Sequence, residues 1–407
     1  MLDTFTLAPG FRAAATACGL KTSSAMAASN LDLALVAADA PCSAAGVFTS
    51  NRVKAAPVLY DQEVLAQNAG AIRAVITNAG NANAVTGAQG LADARQMAAL
   101  TAYALRCQPD QVLVLSTGVI GRPLAMDKVT QGIAVLTSPA AEQGAPVAAR
   151  AIMTTDTRPK VASTTVTIAG APVTISGFCK GAGMIHPDMA TLLAIVTTDA
   201  QVAPDVLHNA LKAAADVSFN RISVDGDTST NDTLLLLASG VSGAAIRAGS
   251  DAYAAFVAAL SEVCTSLAKQ VARDGEGATR LIEVVVSGAE DVAQAHAVAN
   301  TIAISPLLKT AVHGGDPNWG RVLMAAGRSG AAIDPARLTL AFGPPEREIV
   351  VLRAGMPTTY AEREAAALFR EDPVYIRLDL GLGSAQTTVW TCDFSKEYVE
   401  INAHYTT

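Results

Sequence analysis

Short β-branched runs alternate with helical stripes along almost the whole chain, and this alternation limits the possible folds more than any other feature. The runs are "AVIT" (74–77), "QVLVL" (111–115), "TVTIAGAPVTIS" (165–176), "LIEVVVS" (281–287), "EIVVL" (348–352), "VYIRLDL" (374–380) and "YVEIN" (398–402). Their length and composition are those of strands. Gly170 and Pro172 punctuate the third run into a hairpin. Between the runs, Leu91, Ala94, Ala98, Thr101 and Leu105 recur at helical spacing. Pro204 suits a first helical turn ahead of Leu207, Ala210, Leu211 and Ala214. Phe256, Leu260, Val263, Leu267 and Val271 form one apolar stripe after Asp251. Elements interleaved in this way predict mixed sheets covered by helices, an α/β or α+β architecture.

At 407 residues the chain is long enough for two or three units. It is 51% hydrophobic and 16% charged, which excludes a disordered chain. Aromatics make up only 4%, so the core must be built mainly from Ala, Val, Leu and Ile. The net charge of −7, without a basic tract, argues against a nucleic-acid partner. Stacking surfaces for single strands are also missing. The cysteines (Cys18, Cys42, Cys107, Cys179, Cys264 and Cys392) contain no Cys-x-x-Cys pair. They suggest neither a zinc site nor a disulfide framework, and they suit a reducing cytosol. The opening "MLDTFTLAPGFRAA" lacks the apolar core of a secretory signal, and no apolar stretch approaches ~18 residues. The expectation is a cytoplasmic protein with no membrane partner.

Several motifs invite chemistry and then decline it. "NAGNANAVTG" (78–87) is an Asn- and Gly-rich stretch suited to left-handed turns, without Walker spacing. In "VDGDTSTND" (224–232) the alternating Asp225, Asp227, Ser229 and Asn231 resemble a calcium loop. However, Thr230 stands where the loop needs Gly, and Leu236 where it needs Glu. A dense turn with side-chain-to-backbone bonds is expected instead. None of the five histidines has a partner at i+4, so no metal site is expected. His313, in "HGGDPNWGR", is expected in a loop, solvated or hydrogen-bonded. No Gly-x-Ser-x-Gly elbow is present.

One segment resists a purely structural reading. "KGAGMIHPDMATLLAIVTTDA" (180–200) joins a glycine-rich turn directly to a buried strand, Leu192 to Thr198, with Thr191 at the seam. A threonine hydroxyl needs a base to act as nucleophile. Its own α-amine serves if the preceding bond is cut. A free α-amine has a pKa near ~7.7–8.0, so a useful fraction is neutral at physiological pH. From these residues alone Thr191 is either such a nucleophile or an ordinary strand residue, and the latter is the commoner case.

The segment closely resembles the self-cleaving segment of the ornithine acetyltransferase family, also called glutamate N-acetyltransferase or the ArgJ family. "NAGNANAVTG", "LSTGVIG" (115–121), "AIMTTDT" (151–157), "SFNRISVDGDTSTNDT" (218–233), "ARDGEGATRLIEV" (272–284), "DPNWGR" (316–321) and "YVEINAHYTT" (398–407) resemble further family blocks, in family order. The resemblance implies a layered αββα-type α/β fold of the ArgJ/DmpA kind, similar to N-terminal-nucleophile hydrolases. It implies cleavage between Ala190 and Thr191, giving chains 1–190 and 191–407 that remain together as an α2β2 heterotetramer. It implies transfer of acetyl from N-acetyl-ornithine to glutamate through Thr191, as a step of arginine synthesis. No cofactor is implied; some members also accept acetyl-CoA as donor. Rival readings are a related N-terminal-nucleophile amidase or aminopeptidase, and a silent assembly protein of the same fold.

Residue roles follow from the matching blocks. Thr117 and Gly118 match the oxyanion-hole pair. Thr154 matches a substrate-binding threonine, with Thr155 as the other register. Lys180, Glu276, Asn402 and Thr407 match further substrate contacts, beside Thr191 itself. The sequence departs from the family's commoner residues at Ala182, Asp188 and His404, none of them a matched catalytic position.

Overall fold

The computed structural model describes residues 2–21, 30–186 and 192–404. Ala190, Thr191 and Thr407, together with Asp188, therefore lie outside the described residues. The chain divides into two compact units. The first contains the residues up to Asn220 and Asp227–Val271; the second contains Arg221–Gly226 and Ala272–His404.

In the first unit the strands run side by side in the order Val112–Val119, Ile72–Asn81, Leu33–Phe48, Thr233–Ala238, Leu193–Thr198, Ala171–Lys180 and Lys160–Ile168. The long strand Leu33–Phe48 joins two ladders. Its first half pairs with Phe11–Thr16 on one edge and Ile72–Asn81 on the other; its second half pairs with Thr233–Ala238. The change of partner falls at Asp39, Ala40 and Pro41, which are exposed. Pro41 has no N–H to give a ladder, so the pairing breaks there with a register shift.

The predicted strand after Thr191 is present as Leu193–Thr198 and is buried throughout. It pairs with Ala171–Lys180, Lys180 facing Leu193, and with Thr233–Ala238 on its other side. The predicted hairpin forms between Lys160–Ile168 and Ala171–Lys180, with Ala169 and Gly170 at positive φ in the turn. Helices Gly87–Leu105, Pro204–Val217 and Asp251–Arg273 form where the stripes place them, and the stripe from Phe256 to Val271 is buried.

The second unit is a mixed sheet covered by helices. Leu281–Ala289 lies between Val374–Asp379, parallel to it, and Ala385–Cys392, antiparallel. Helix Val292–Ala303 packs on this sheet through Ala295, Val298, Ala299 and Ile302. Both units are α/β with helices layered on sheets, as expected. The core is mainly Ala, Val, Leu and Ile, as the scarcity of aromatic residues requires.

Two expectations fail. "YVEIN" is not a strand but part of helix Lys396–His404, which buries no residue. Its β-branched residues are too few and too exposed to hold a ladder, and Ser395, just ahead of it, binds the backbone N–H of Glu397 and so starts a helix. His313 is not in a loop but in the last turn of helix Pro306–Gly314, which Gly315 ends in a left-handed conformation.

Candidate active site

The parallel strands Ile72–Asn81 and Val112–Val119 bring two of the sequence blocks together at their carboxyl ends. Ala79 faces Thr117, and Gly80 faces Gly118. Gly118 has φ of 131°, and an added Cβ would lie 2.3 Å from the Gly80 carbonyl carbon, so only glycine fits. Residues Val112–Ser116 are buried, whereas Thr117 and Gly118 are partly exposed. The strand thus delivers a hydroxyl and a tight turn to the surface of a site.

The asparagines around it have structural roles, as a turn reading predicts. Asn78 and Asn81 donate to the carbonyls of Asn81 and Arg122, and Asn83 to that of Gly90. The dense turn of the "VDGDTSTND" block joins them: Asn231 Nδ2 donates to the carbonyls of Ala82 at 2.6 Å and Ser116 at 2.8 Å. Through Asn231 that block binds the ends of two strands. Among the described residues no group of three or more His, Cys, Asp or Glu could hold a metal ion.

Lys180 ends its ladder strand and places Nζ 3.4 Å from Thr117 Oγ1. Three of the predicted residues therefore converge. Thr154 is buried, and its N–H donates to Asp156 Oδ2 at 3.0 Å. Asp156 Oδ1 accepts from Gly181 N–H at 2.6 Å and from Lys160 Nζ at 2.6 Å, both members of that ion pair being fully buried. Burial works against the charge of Asp156, but Lys160 and Lys180 overcome it and hold the carboxyl below the usual range. Lys21 stands close by. Its amine donates to the carbonyls of Leu31 and Ala151, and burial pushes it down to about 8, with Asp32 and Asp156 acting the other way.

Sequence reasoning did not single out Asp156, Lys160 or Lys21. Asp156 lies inside a recognised block, but nothing in the chain indicates that a lysine heading an alternating strand will be buried against it.

In the second unit Glu276 is 7% exposed and accepts from Asn402 Nδ2 at 2.8 Å. Two predicted residues meet here, one from a loop and one from the terminal helix. Gly277 beside them has φ of 69°, and a Cβ there would lie 2.5 Å from the Tyr398 nitrogen. Ser395 Oγ donates to the Gly277 carbonyl. Asp393 fixes the far end of the loop, accepting from Thr279 N, Thr279 Oγ1 and Arg280 N, while His313 Nδ1 lies 2.8 Å from its Oδ2. His313 is thus hydrogen-bonded, as expected. Burial alone would raise the Asp393 pKa; the bonds from Thr279, His313 and Arg280 lower it instead.

The sequence matches the profile of the ArgJ family over residues 12–407. The chain belongs to the ArgJ family. The "Arginine biosynthesis bifunctional protein ArgJ" of Dehalococcoides mccartyi is 49% identical over 399 residues, covering 98% of this chain and 96% of that one. The protein of the same name from Symbiobacterium thermophilum is also 49% identical, over 98% of this chain and 97% of that one. Among solved structures, the arginine biosynthesis bifunctional protein argJ of Bacillus halodurans is 45% identical with a TM-score of 0.50. That match covers 98% of the solved chain but 52% of this one, so the solved ArgJ chain is about half as long. The ArgJ match includes every block named above, among them the Thr117, Lys180 and Glu276 segments.

Proposed function

We propose that this arginine-biosynthesis enzyme of the ArgJ family is a self-cleaving acetyltransferase. It moves acetyl from N-acetyl-ornithine to glutamate through an acetyl ester on Thr191. The observation that carries the proposal is Lys180 Nζ against Thr117 Oγ1, at the end of a strand paired directly with the one that follows Thr191.

In the precursor, Thr191 Oγ attacks the Ala190 carbonyl. An N-to-O shift gives an ester, and water hydrolyses it to a free Ala190 carboxylate and a free Thr191 amine. In the cleaved enzyme the same oxygen attacks the acetyl carbonyl of N-acetyl-ornithine. The Thr191 amine accepts the hydroxyl proton and returns it to the departing ornithine nitrogen. In the precursor local N–H groups hold the oxyanion; in the cleaved enzyme Thr117 and Gly118 hold it. Glutamate's amine then takes the acetyl group, a ping-pong scheme. Lys180 suits a substrate carboxylate and Glu276 an ammonium. Thr154, Asn402 and Thr407 complete the proposed contacts.

Two facts support cleavage. The solved Bacillus halodurans chain is about half this length, and a cut after Ala190 divides this chain near its middle. The pieces 1–190 and 191–407 would stay joined, because Lys180 and Leu193 face each other in one ladder. Two cleaved copies would form the α2β2 assembly, in the cytoplasm. The relatives' "bifunctional" name makes acetyl-CoA the second donor to test. Purified enzyme should acetylate glutamate from N-acetyl-ornithine. Without glutamate, rapid quench should trap acetyl on the peptide beginning at Thr191. Release of free acetate without transfer to glutamate would favour an amidase instead.

A further inference from the structure

We propose that Asp156 is a positioning residue, holding the Thr154 turn and the Gly181 turn in one fixed relation. The inference rests on the transfer reading of Thr154 and Lys180 given above. Residues 154 and 181 are far apart in sequence, yet their N–H groups end on the two oxygens of one carboxylate, at 3.0 and 2.6 Å. Both oxygens are in use, and Lys160 shares one of them. The group must therefore be ionised and in one orientation.

Gly181 follows Lys180 directly and opens the turn that leads to the seam; Thr154 is the proposed substrate contact on the other side. The turn is also held at its far end, where Thr228 Oγ1 donates to the His186 carbonyl. Lys21 steadies the approach to Thr154 by donating to the carbonyl of Ala151, at the end of helix Ala145–Ala151. A fully buried ion pair is a poor device for stability alone, since well-packed apolar residues commonly replace one without loss. What this pair supplies is an ionised acceptor with a fixed direction, and charge-assisted bonds to backbone N–H groups are the stronger kind.

The test compares Asp156→Asn, the double variant Asp156→Asn with Lys160→Met, and Asp61→Asn. Asn has only one acceptor oxygen, so one of the two N–H groups loses its partner. The double variant removes both buried charges and so leaves no unpaired ammonium. Asp61 is a second fully buried carboxyl in the same unit, and it accepts from Val114 N–H. Chains made by cell-free synthesis are followed on denaturing gels for seam cleavage. The cleaved enzymes are assayed for kcat and KM with N-acetyl-ornithine, and melting is recorded alongside.

Loss of one such bond should slow cleavage and raise KM together, each about tenfold, in both Asp156 variants. Asp61→Asn should leave both unchanged. Asp156 variants that match Asp61→Asn, with wild-type cleavage and KM, would overturn the assignment. So would failure of both Asp156 variants to fold, which would make the pair a core element only. A wild-type chain that neither cleaves nor transfers acetyl would remove the transfer reading itself, and this inference with it.

Discussion

Lys180 and Glu276 are both charged and almost buried, at 9% and 7% exposure, yet they are held in different ways. Lys180 is the last residue of a ladder strand and faces Leu193, while Cys179 before it faces both Ala194 and Lys160. Its own backbone is fixed by the ladder, and the turn that follows it by Asp156. Glu276 sits in a loop fixed by a few side chains: Ser395 on Gly277, Asp393 on Thr279 and Arg280, and Asn402 on Glu276 itself. A residue placed by a ladder keeps its backbone position when a side chain around it is changed. A residue placed by a clamp inherits the weakness of each contact. Substitutions in the first region should therefore reach seam cleavage and acyl transfer, and those in the second substrate affinity alone.

The largest effect tests the shared nucleophile. Thr191→Ala should leave one full-length chain and no acetyl transfer; two fragments on a denaturing gel would refute the seam assignment. Thr117→Ala should come next. It should fold and lower kcat by about 10²–10³, the usual effect of losing one oxyanion donor at ~2.7–4 kcal/mol. An unchanged kcat would remove Thr117 from the oxyanion site.

Smaller effects should mark the clamp. Glu276→Gln, Asn402→Ala and deletion of residues 403–407 should each lower kcat/KM for N-acetyl-ornithine by about two- to hundredfold, with most of the change in KM. Seam cleavage should remain normal in all three. Slowed cleavage in any of them would break the contrast between the two regions.

The smallest effects are of pH on stability: both raise it as pH rises, but in different windows. Folding lowers the Lys21 pKa from its ordinary 10.5 to about 8. Between these values the unfolded chain binds more protons, so Lys21 should add stability as pH rises through this window. Lys21→Met should remove that rise in denaturant titrations. Asp393 is held below the ordinary carboxylate value, so its contribution is present above that value and is lost as pH falls through its folded pKa. Asp393→Asn should flatten the acid limb of the same curve. A wild-type acid limb in that variant would mean that other carboxylates dominate.

The first region was largely legible in the sequence. A buried strand after a glycine turn is a local pattern, set by burial and backbone sterics; Thr117 and Gly118 came through the family resemblance, and it is Gly80 across the ladder that requires glycine at 118. The turn-forming asparagines are local as well. The clamp was less legible. "YVEIN" has strand-like residues, but it lies in a helix that buries no residue, and Ser395 starts that helix. Its Asn402 was found only through the family resemblance.

The alternating runs and stripes, with the scarcity of aromatic residues, determined by themselves that this chain would form mixed sheets covered by helices around an aliphatic core. Periodicity and side-chain volume act over a few residues, so they can be read without knowing the partner strand. The seam and its family were also present in the sequence, as order and spacing of blocks. Only the tertiary structure decided that Asp156, Lys160 and Lys21 would surround the Thr154 and Lys180 turns. It alone made the Asn231 turn a brace for two strand ends. The reason is that the partner of a buried charge is set by which backbone ends the sheet brings together. That choice depends on pairing between strands far apart in the chain, as when Lys160 faces Cys179 and Lys180 faces Leu193.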